Sequence, residues 1–352
     1  MLRFVGPSIV LGSVRPVINR EPNTHYGKFR IYDAGSYKMQ LILLHKNMQE
    51  AFPQFPDVVS QPMWQGDYPD IEPTVTVSAK AEPPTAPLQP CPAMDNSAPG
   101  RWLAVGPSTN GEKQRYEWQP FNCSLRRYSN DGVRSCLEKK RLYVLGDSNE
   151  KNLVAYLRGI ARNASITFVF LDGIVTTNVR GKAVVQPPQR NTQKLHQYLL
   201  DLKLANPQPD AVLLESCAWD VRDWSVQEYV ELFHYLTKVW PYPRGEGPPV
   251  IWRTCPPWPY LRKSFGGREY RTNNKLEQAV FIIKLMAYLR GWIVDDFFTA
   301  ALPRFDEPCD DHHYICCSGP GKRASGNVGI PYQQVLFNML CNVGADSKEG
   351  GG

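Results

Sequence analysis

Five short apolar runs recur in the second half of the chain, and this repetition limits the folds that the chain can adopt. The runs cover residues 141–146, 166–171, 211–215, 249–254 and 291–295. Segments with apolar residues at helical spacing lie between them. Continuous apolar strands that alternate with helices are typical of a parallel sheet that helices cover on both faces. The sequence therefore predicts an α/β fold with a three-layer domain.

The spacing of apolar residues also locates the helices. The first run breaks at Gly146-Asp147-Ser148 and passes into a helix whose apolar face comprises Leu153, Tyr156, Leu157 and Ile160. A second helix has the apolar face Leu195, Tyr198, Leu199 and Leu202. Ser225 and Glu228 form a capping box at the start of a third helix, and residues 273–290 form a fourth.

The first 80 residues have the pattern of antiparallel strands. Residues 28–32 and 37–43 alternate between polar and apolar side chains, and the turn sequence 33–36 separates them, which predicts a β-hairpin. Residues 73–78 form a further β-branched run. We expect residues 1–80 to form a small β-rich segment, either an immunoglobulin-like domain or a partial β-sandwich truncated at its first strands.

The remaining segments follow from composition. Residues 81–90 are rich in proline and are expected to form a stiff linker. The α/β domain is expected to occupy residues 91–342, beginning with a loop-rich stretch over residues 91–136 that cysteines tie down. Residues 343–352 are expected to form a disordered tail.

The nine cysteines indicate the compartment in which the chain folds. They are scattered without a CxxC pair, which favours a few disulfides in an oxidising compartment over a metal site, and the odd number leaves at least one free or intermolecular thiol. Glycosylation sequons at Asn122 and Asn163 agree with this. Residues 1–30 lack the pattern of a signal peptide, so we expect the sequence to lack its natural start.

Charge and hydropathy narrow the classes of partner. The net charge of +6 is modest and the basic residues are dispersed, which argues against nucleic acid as a partner. Apolar runs stay shorter than the roughly 18 residues that span a bilayer, so no transmembrane segment is expected in this chain.

The ends of the predicted strands are the places to look for chemistry, since ligand groups gather at the carboxyl edge of such sheets. Ser148 follows the first strand, and a loop with Asp310 and His313 follows the last. A serine hydroxyl is a weak nucleophile until a base takes its proton, and a histidine oriented by a carboxylate can do so. Two simpler readings stay open: Gly146-Asp147-Ser148 is an ordinary turn, or Asp311, His312 and His313 belong to a metal site.

The order of short motifs along residues 91–342 resembles the SGNH/GDSL hydrolase superfamily, and within it the PC-esterase branch. That branch includes the NXPE proteins and the trichome-birefringence-like and Cas1-type glycan O-acetyltransferases. The motifs that carry the resemblance are Gly100-Arg101-Trp102, Tyr116-Glu117-Trp118-Gln119-Pro120 with Cys123, Gly146-Asp147-Ser148, Ser216-Cys217-Ala218-Trp219-Asp220, Trp252-Arg253-Thr254 and Asp310-Asp311-His312-His313-Tyr314. The β-rich front is most similar to the NXPE arrangement.

The resemblance implies a catalytic triad of Ser148, His313 and Asp310 that works through an acyl-serine intermediate, with no metal and no cofactor. The acyl group would be acetyl, moved from an acetyl donor to a hydroxyl of a glycan or polysaccharide acceptor, or released from it to water. The implied location is the secretory pathway: the Golgi lumen, the cell surface or the extracellular space.

The resemblance also implies an oxyanion hole, made by the Ser148 backbone N–H with Gly173 and Asn149 as candidate further donors. Glu215 stands where the family pattern has an asparagine, and an ionised glutamate cannot replace an amide donor. Either another residue, such as Asn149 or Ser216, takes the role of that asparagine, or activity is altered or lost. Candidate residues of the substrate pocket, all at predicted strand ends or in the last loop, are Trp219, Arg253, Trp258 and Tyr314. Because of Glu215 and the β-rich front, the alternative is a non-catalytic secreted or surface module that binds a glycan or a protein.

Overall fold

The computed structural model describes residues 2–16, 25–41, 74–78, 88–92, 99–106, 114–170, 192–216, 226–259, 273–310, 312–316 and 325–341. The strands are β1 (Leu2–Val5), β2 (Ser8–Pro16), β3 (His25–Lys28), β4 (Gly35–Leu41), β5 (Thr74–Val77), β6 (Gly100–Val105), β7 (Arg115–Pro120), β8 (Arg141–Gly146), β9 (Ser165–Phe170), β10 (Ala211–Leu214), β11 (Val250–Arg253) and β12 (Ile293–Asp295). The helices are α1 (Asn130–Leu137), α2 (Ser148–Ile160), α3 (Thr192–Leu204), α4 (Val226–Val239), α5 (Asn273–Arg290), α6 (Phe297–Ala301) and α7 (Gly329–Cys341), with a 3-10 turn at Leu302–Arg304.

Strands β8 to β12 form a parallel sheet in the order β12-β11-β10-β8-β9. Each of the five apolar runs of the sequence contributes one of these strands, within one or two residues of the predicted bounds. The pairing of Leu145 with Leu214 brings the carboxyl ends of β8 and β10 side by side. This arrangement confirms the predicted α/β fold.

Helices cover both faces of this sheet. Leu142 and Val144 of β8 belong to one buried cluster together with α2 and α7, whereas Tyr143 and Leu145 belong to a second cluster with α3, α4 and α5. Alternate residues of a strand point to opposite faces, so a strand buried on both sides must be apolar throughout. The three predicted layers are therefore present.

The second sheet is antiparallel and has seven strands, in the order β5-β4-β1-β2-β6-β7 with β3 paired to β2. The predicted hairpin is wrong, because β3 ends at Lys28 and pairs with β2, while β4 pairs with β1 and β5. Alternation identified a strand in this region but carries no information about which strand is its neighbour.

The expectation of a loop-rich stretch over residues 91–136 is also wrong, because β6, β7 and α1 lie there. Strand β6 pairs with β2, so this sheet joins strands from both sides of the predicted linker. Trp102 and Trp118 are fully buried with their rings 5.5 Å apart, and the Trp102 indole N–H donates to the Ala300 carbonyl at 2.7 Å. These contacts attach the antiparallel sheet to the α/β unit.

Disulfides join Cys91 to Cys123, Cys136 to Cys341 and Cys309 to Cys316, and Cys255 is also disulfide-bonded. Such bonds are typical of proteins that fold in an oxidising compartment. Among the described helices, none combines the length and apolar character needed to cross a bilayer. Ser225 of the predicted capping box, residues 81–87 of the linker and the predicted tail 343–352 lie outside the described residues. The predicted domain bounds stay a prediction.

Candidate active site

Ser148 is the first residue of α2, immediately beyond the carboxyl end of β8. Asp147 caps this helix, because its side chain accepts a hydrogen bond of 2.7 Å from the Asn149 N–H. Gly146 is required for a close approach: a Cβ at this position would lie 2.6 Å from Cγ of Glu150. The Gly-Asp-Ser sequence thus turns the chain sharply and leaves the partly exposed Ser148 hydroxyl at the sheet edge.

His313 reaches Ser148 from a loop that a disulfide closes. Cys309 and Cys316 are bonded at the two ends of this loop, and the Cys309 N–H donates to the His313 carbonyl at 2.8 Å. The Asp310 carboxylate accepts the backbone N–H groups of His312 and His313 at 2.8 and 2.7 Å. Three local constraints therefore determine where the His313 ring lies.

The structure brings Ser148, His313 and Asp310 into one hydrogen-bonded chain. His313 Nδ1 lies 2.7 Å from Oδ2 of Asp310, and His313 Nε2 lies 2.9 Å from Oγ of Ser148. Since the Asp310 carboxylate accepts a hydrogen bond from Nδ1–H, Nε2 of the neutral ring has no proton and can accept that of the Ser148 hydroxyl.

The environment of Asp310 keeps its carboxyl group ionised. Partial burial acts to raise its pKa, but hydrogen bonds from the His313 ring and from two backbone N–H groups outweigh burial, so the pKa is lowered. An ionised Asp310 favours the tautomer of His313 with its proton on Nδ1, and it orients the ring so that Nε2 points toward Ser148.

Three buried carboxyl groups lie behind the serine: Asp147, Glu150 and Glu215, all less than 5% exposed, with oxygens within 4.8 Å of one another. Burial is the main cause that raises the pKa of each, to about 7 for Glu150 and well above the usual value for Glu215. The raised pKa favours the neutral form of Glu215, which would not repel an oxyanion. It is also completely buried, so it is not an oxyanion donor that a substrate could reach.

Glu150 is the residue of this site that sequence reasoning missed. Its signal was present, because Glu150, Leu153, Val154 and Leu157 share one buried helical face. A charged residue on an otherwise apolar stripe is expected to have a specific partner. Its partner is Arg253, whose Nε lies 3.6 Å from Oε1 of Glu150.

The predicted oxyanion donors differ in whether their backbone N–H groups are available to an anion. Ser148 begins α2, and the first N–H groups of a helix have no intrahelical acceptor, so its N–H is available for an anion. The Asn149 N–H is engaged by Asp147, which leaves only its side-chain amide as a donor. Gly173 lies outside the described residues.

The substrate-pocket expectation is wrong for Arg253 and Tyr314, because both are interior residues. Arg253 is 3% exposed and its NH1 donates to Asp295 at 3.1 Å, while the Tyr314 hydroxyl donates to the Phe305 carbonyl at 2.8 Å. Trp258 is partly buried and packs against the second core cluster. Trp219 lies outside the described residues.

Two groups of side chains in the described part of the chain have the spacing of metal ligands. They are Asp310 with His312 and His313, and Asp147 with Glu150 and Glu215. In the first group, both ring nitrogens of His313 face a partner, so a metal would have to displace Ser148 or Asp310. In the second, Arg253 already supplies positive charge to Glu150.

A cavity of about 460 Å³ lies apart from Ser148 and His313, between β7, α2 and α7. Three arginines line it, but Arg304 is bonded to Glu307 at 2.8 Å and Arg127 to Glu117 at 3.1 Å. Most of its positive charge is therefore neutralised within the protein.

The fold and the site together define the class of protein. It is an α/β protein that carries a hydrogen-bonded serine, histidine and aspartate at the carboxyl edge of its parallel sheet. No protein-family model and no curated protein sequence matches the chain. The chain is similar to a lipase/acylhydrolase from Enterococcus faecalis, with 19% identity over 57% of this chain and 92% of that one, at a TM-score of 0.33.

Two further solved structures are similar to the chain, with comparably low sequence identity and TM-score. One is the C-terminal catalytic domain of peptidoglycan O-acetyltransferase A (OatA) from Streptococcus pneumoniae with a methylsulfonyl adduct, at 13% identity, 59% and 95% coverage and a TM-score of 0.36. The other is a carbohydrate acetylesterase family member from Sinorhizobium meliloti, at 10% identity, 57% and 95% coverage and a TM-score of 0.31.

Proposed function

We propose that this protein transfers or hydrolyses an O-acyl group through an acyl-serine intermediate, with Ser148 as nucleophile, His313 as general base and Asp310 as the orienting carboxylate. The observation that carries the proposal is the continuous hydrogen-bonded chain Asp310–His313–Ser148. A serine that only begins a helix does not require hydrogen bonds to a histidine and an aspartate. A serine nucleophile does, because its hydroxyl must lose a proton as it attacks.

The first half-reaction acylates the serine. Ser148 Oγ attacks the ester carbonyl carbon while its proton moves to His313 Nε2, and the carbonyl electrons move onto oxygen. The N-terminus of α2, with the Ser148 N–H, favours that negative charge. When the intermediate collapses, the bond to the leaving oxygen breaks, and the proton on Nε2 passes to this leaving group.

The second half-reaction frees the enzyme. His313 Nε2 takes the proton of an acceptor hydroxyl, whose oxygen attacks the acyl carbon, and the proton returns to Ser148 Oγ as the acyl bond breaks. With a sugar hydroxyl as acceptor the reaction is transfer, and with water it is hydrolysis. We propose acetyl as the acyl group and a glycan as the acceptor or substrate, in line with the ordered motifs of residues 91–342. The disulfides support a location in the secretory pathway or outside the cell.

Labelling of Ser148 tests the nucleophile directly. A fluorophosphonate probe should add one mass increment to the folded protein, and peptide mapping should locate it on Ser148. The variants Ser148→Ala and His313→Ala should lose both labelling and turnover of p-nitrophenyl acetate. Ser135→Ala, which removes an exposed serine of α1, serves as the matched control and should behave as the parent protein. A folded parent protein that is neither labelled nor active would refute the serine mechanism.

A second candidate function is a glycan-binding module without turnover. The observation that favours it is Glu215, a buried carboxyl where an amide donor was expected. Binding to an acetylated oligosaccharide array that is equal for the parent and Ser148→Ala, with no deacetylation or acetyl gain by mass spectrometry, would establish this candidate instead.

A further inference from the structure

Glu215 connects two segments of the chain at the turn that carries Ser148. It follows β10 directly, and its N–H donates to the Leu145 carbonyl at 2.9 Å. Its side-chain Oε2 accepts the Asp147 N–H at 3.2 Å. Glu215 is thus bonded through its backbone and through its side chain to the two residues that flank Gly146.

The charges around Glu215 do not balance if every carboxyl group is ionised. Asp147 and Glu150 face it from the turn and from α2, and beyond Glu150 lies Arg253 of β11. Arg253 NH1 is shared with Asp295 of β12 at 3.1 Å and with Gln333 of α7 at 3.0 Å. Among the described residues, Arg253 is thus the guanidinium next to a group of four buried carboxyl groups and contacts two of them, Glu150 and Asp295. Burying uncompensated charge is strongly unfavourable.

Two other charged groups lie at the edge of this cluster. His313 is close enough to Asp147 to act on it electrostatically. Asp296, next to Asp295, forms an ion pair with Lys284 of α5, so the Lys284 ammonium is already paired. The positive charge of Lys284 is therefore used outside the group formed by Asp147, Glu150 and Glu215.

The hydrogen bonds also indicate that one of these carboxyl groups carries a proton. Both oxygens of Glu150 and Oε1 of Glu215 are buried, and no group in the described part of the chain donates a hydrogen bond to them. A proton on Oε1 of Glu215 provides the missing donor toward Asp147 or Glu150, while Oε2 still accepts the Asp147 N–H. Burial and the two neighbouring carboxyl groups raise the pKa of Glu215, which favours the same protonated form as these hydrogen bonds do.

We propose that Glu215 is a positioning residue for the acyl transfer proposed above: as a neutral carboxylic acid it ties the turn before α2 to the end of β10, and so keeps the Ser148 hydroxyl against His313. This inference rests on the proposed function for its kinetic consequence, but its structural content is independent of it. When the proton is lost, repulsion among adjacent carboxylates releases the turn.

Glutamine is the matched replacement, because its oxygen can accept the Asp147 N–H and its NH₂ group can donate as the neutral acid does. Glu215→Gln should keep kcat at pH 6 within about threefold of the parent, whereas Glu215→Ala should lower kcat by about 10- to 100-fold with little change in KM, as expected for a misplaced nucleophile. The parent should lose activity at alkaline pH as the cluster ionises, and Glu215→Gln should lose less.

Two measurements separate this inference from the proposed function. Hydrogen exchange of the Asp147 amide should be slow in the parent at pH 6, faster at alkaline pH, and slow at both pH values in Glu215→Gln. The infrared band of a protonated carboxyl group should weaken in Glu215→Gln. Neither readout requires catalysis, so an inactive parent protein would refute the proposed function alone.

The positioning role would be overturned if Glu215→Ala were as active as the parent, or if Glu215→Gln were as impaired as Glu215→Ala. Should Glu215→Ala not fold, Glu215→Gln decides the matter: a pH profile and an Asp147 amide exchange rate identical to those of the parent would equally overturn it.

Discussion

Cys309 and Cys316 are joined by a disulfide that encloses both Asp310 and His313 in one short loop. The loop carries two of the three side chains of the candidate active site, whereas Ser148 lies on the rigid start of α2. The separation between Nε2 of His313 and Oγ of Ser148 therefore depends on this covalent link as well as on hydrogen bonds.

Removing this disulfide should lower kcat strongly while lowering the free energy of unfolding only modestly. A loop of this size contributes about 2 kcal/mol by the chain-entropy model, a modest part of the stability of a domain. A displaced His313, however, would cost about a hundredfold in kcat. We expect Cys309→Ser/Cys316→Ser to retain a cooperative melting transition while losing most esterase turnover. The matched control is Cys91→Ser/Cys123→Ser, away from the loop, which should retain turnover in the folded fraction. Equal turnover in the two double variants would contradict this role.

Replacement of Asp310 by asparagine should impair catalysis without unfolding the loop. The asparagine oxygen can still accept the backbone N–H groups of His312 and His313, but its NH₂ group facing Nδ1 selects the wrong ring tautomer. We expect kcat to fall by about 10³-fold or more, with circular dichroism unchanged. Asp131→Asn, an exposed aspartate of α1, is the control. Full activity in Asp310→Asn would show that Asp310 does not orient His313.

Gly146 at the end of β8 and Gly159 in the last turn of α2 should respond oppositely to replacement by alanine. At Gly146 a Cβ would overlap Cγ of Glu150, so Gly146→Ala should lower the free energy of unfolding by about 1–3 kcal/mol. At Gly159 a Cβ meets nothing within 4 Å, so Gly159→Ala should raise it by up to about 1 kcal/mol through helix propensity. Urea denaturation measures both. A neutral Gly146→Ala would show that the turn can relax.

The buried carboxyl cluster should make stability depend on pH. The pKa of Glu150 is raised from 4.5 to about 7, so the folded protein retains a proton that the unfolded chain releases. The free energy of unfolding must then fall as pH rises between these values. Glu150→Gln should remove roughly 3 kcal/mol of this decline, from the size of the shift. Denaturation at pH 5 and pH 8 tests this, with the exposed Glu246→Gln as control. A decline equal in both variants would mean that Glu150 is ionised throughout.

The sequence predicted well the features that depend on residues close together in the chain. Strands β8 to β12 were located because each is a continuous apolar run, and α2 because its buried residues recur at helical spacing. Ser148, Asp310 and His313 were chosen because the residues beyond strand ends meet at one sheet edge. The hydrogen bonds among them agree with that reasoning.

Features that depend on strand pairing were missed. Residues 100–120 were predicted to lie in a loop-rich stretch. Instead, Trp102 and Trp118 are fully buried, and β6 extends the N-terminal sheet by pairing with β2. Arg253 and Tyr314 were expected in a pocket because they follow strand ends, but their neighbours in space enclose them. Neither the partner of an edge strand nor the burial of a strand end is a local property of the sequence.

By itself the sequence determined the alternation of strands and helices, the turn at Gly146-Asp147-Ser148 and the presence of a histidine and an acid near the end of the chain. Only the tertiary structure decided that Asp147, Glu150 and Glu215 share one buried space behind Ser148. The physical reason is that β8 and β10 pair in parallel, so residues far apart in sequence meet at adjacent strand ends. The protonation of a carboxyl group depends on that burial and on those neighbours, which no local pattern records.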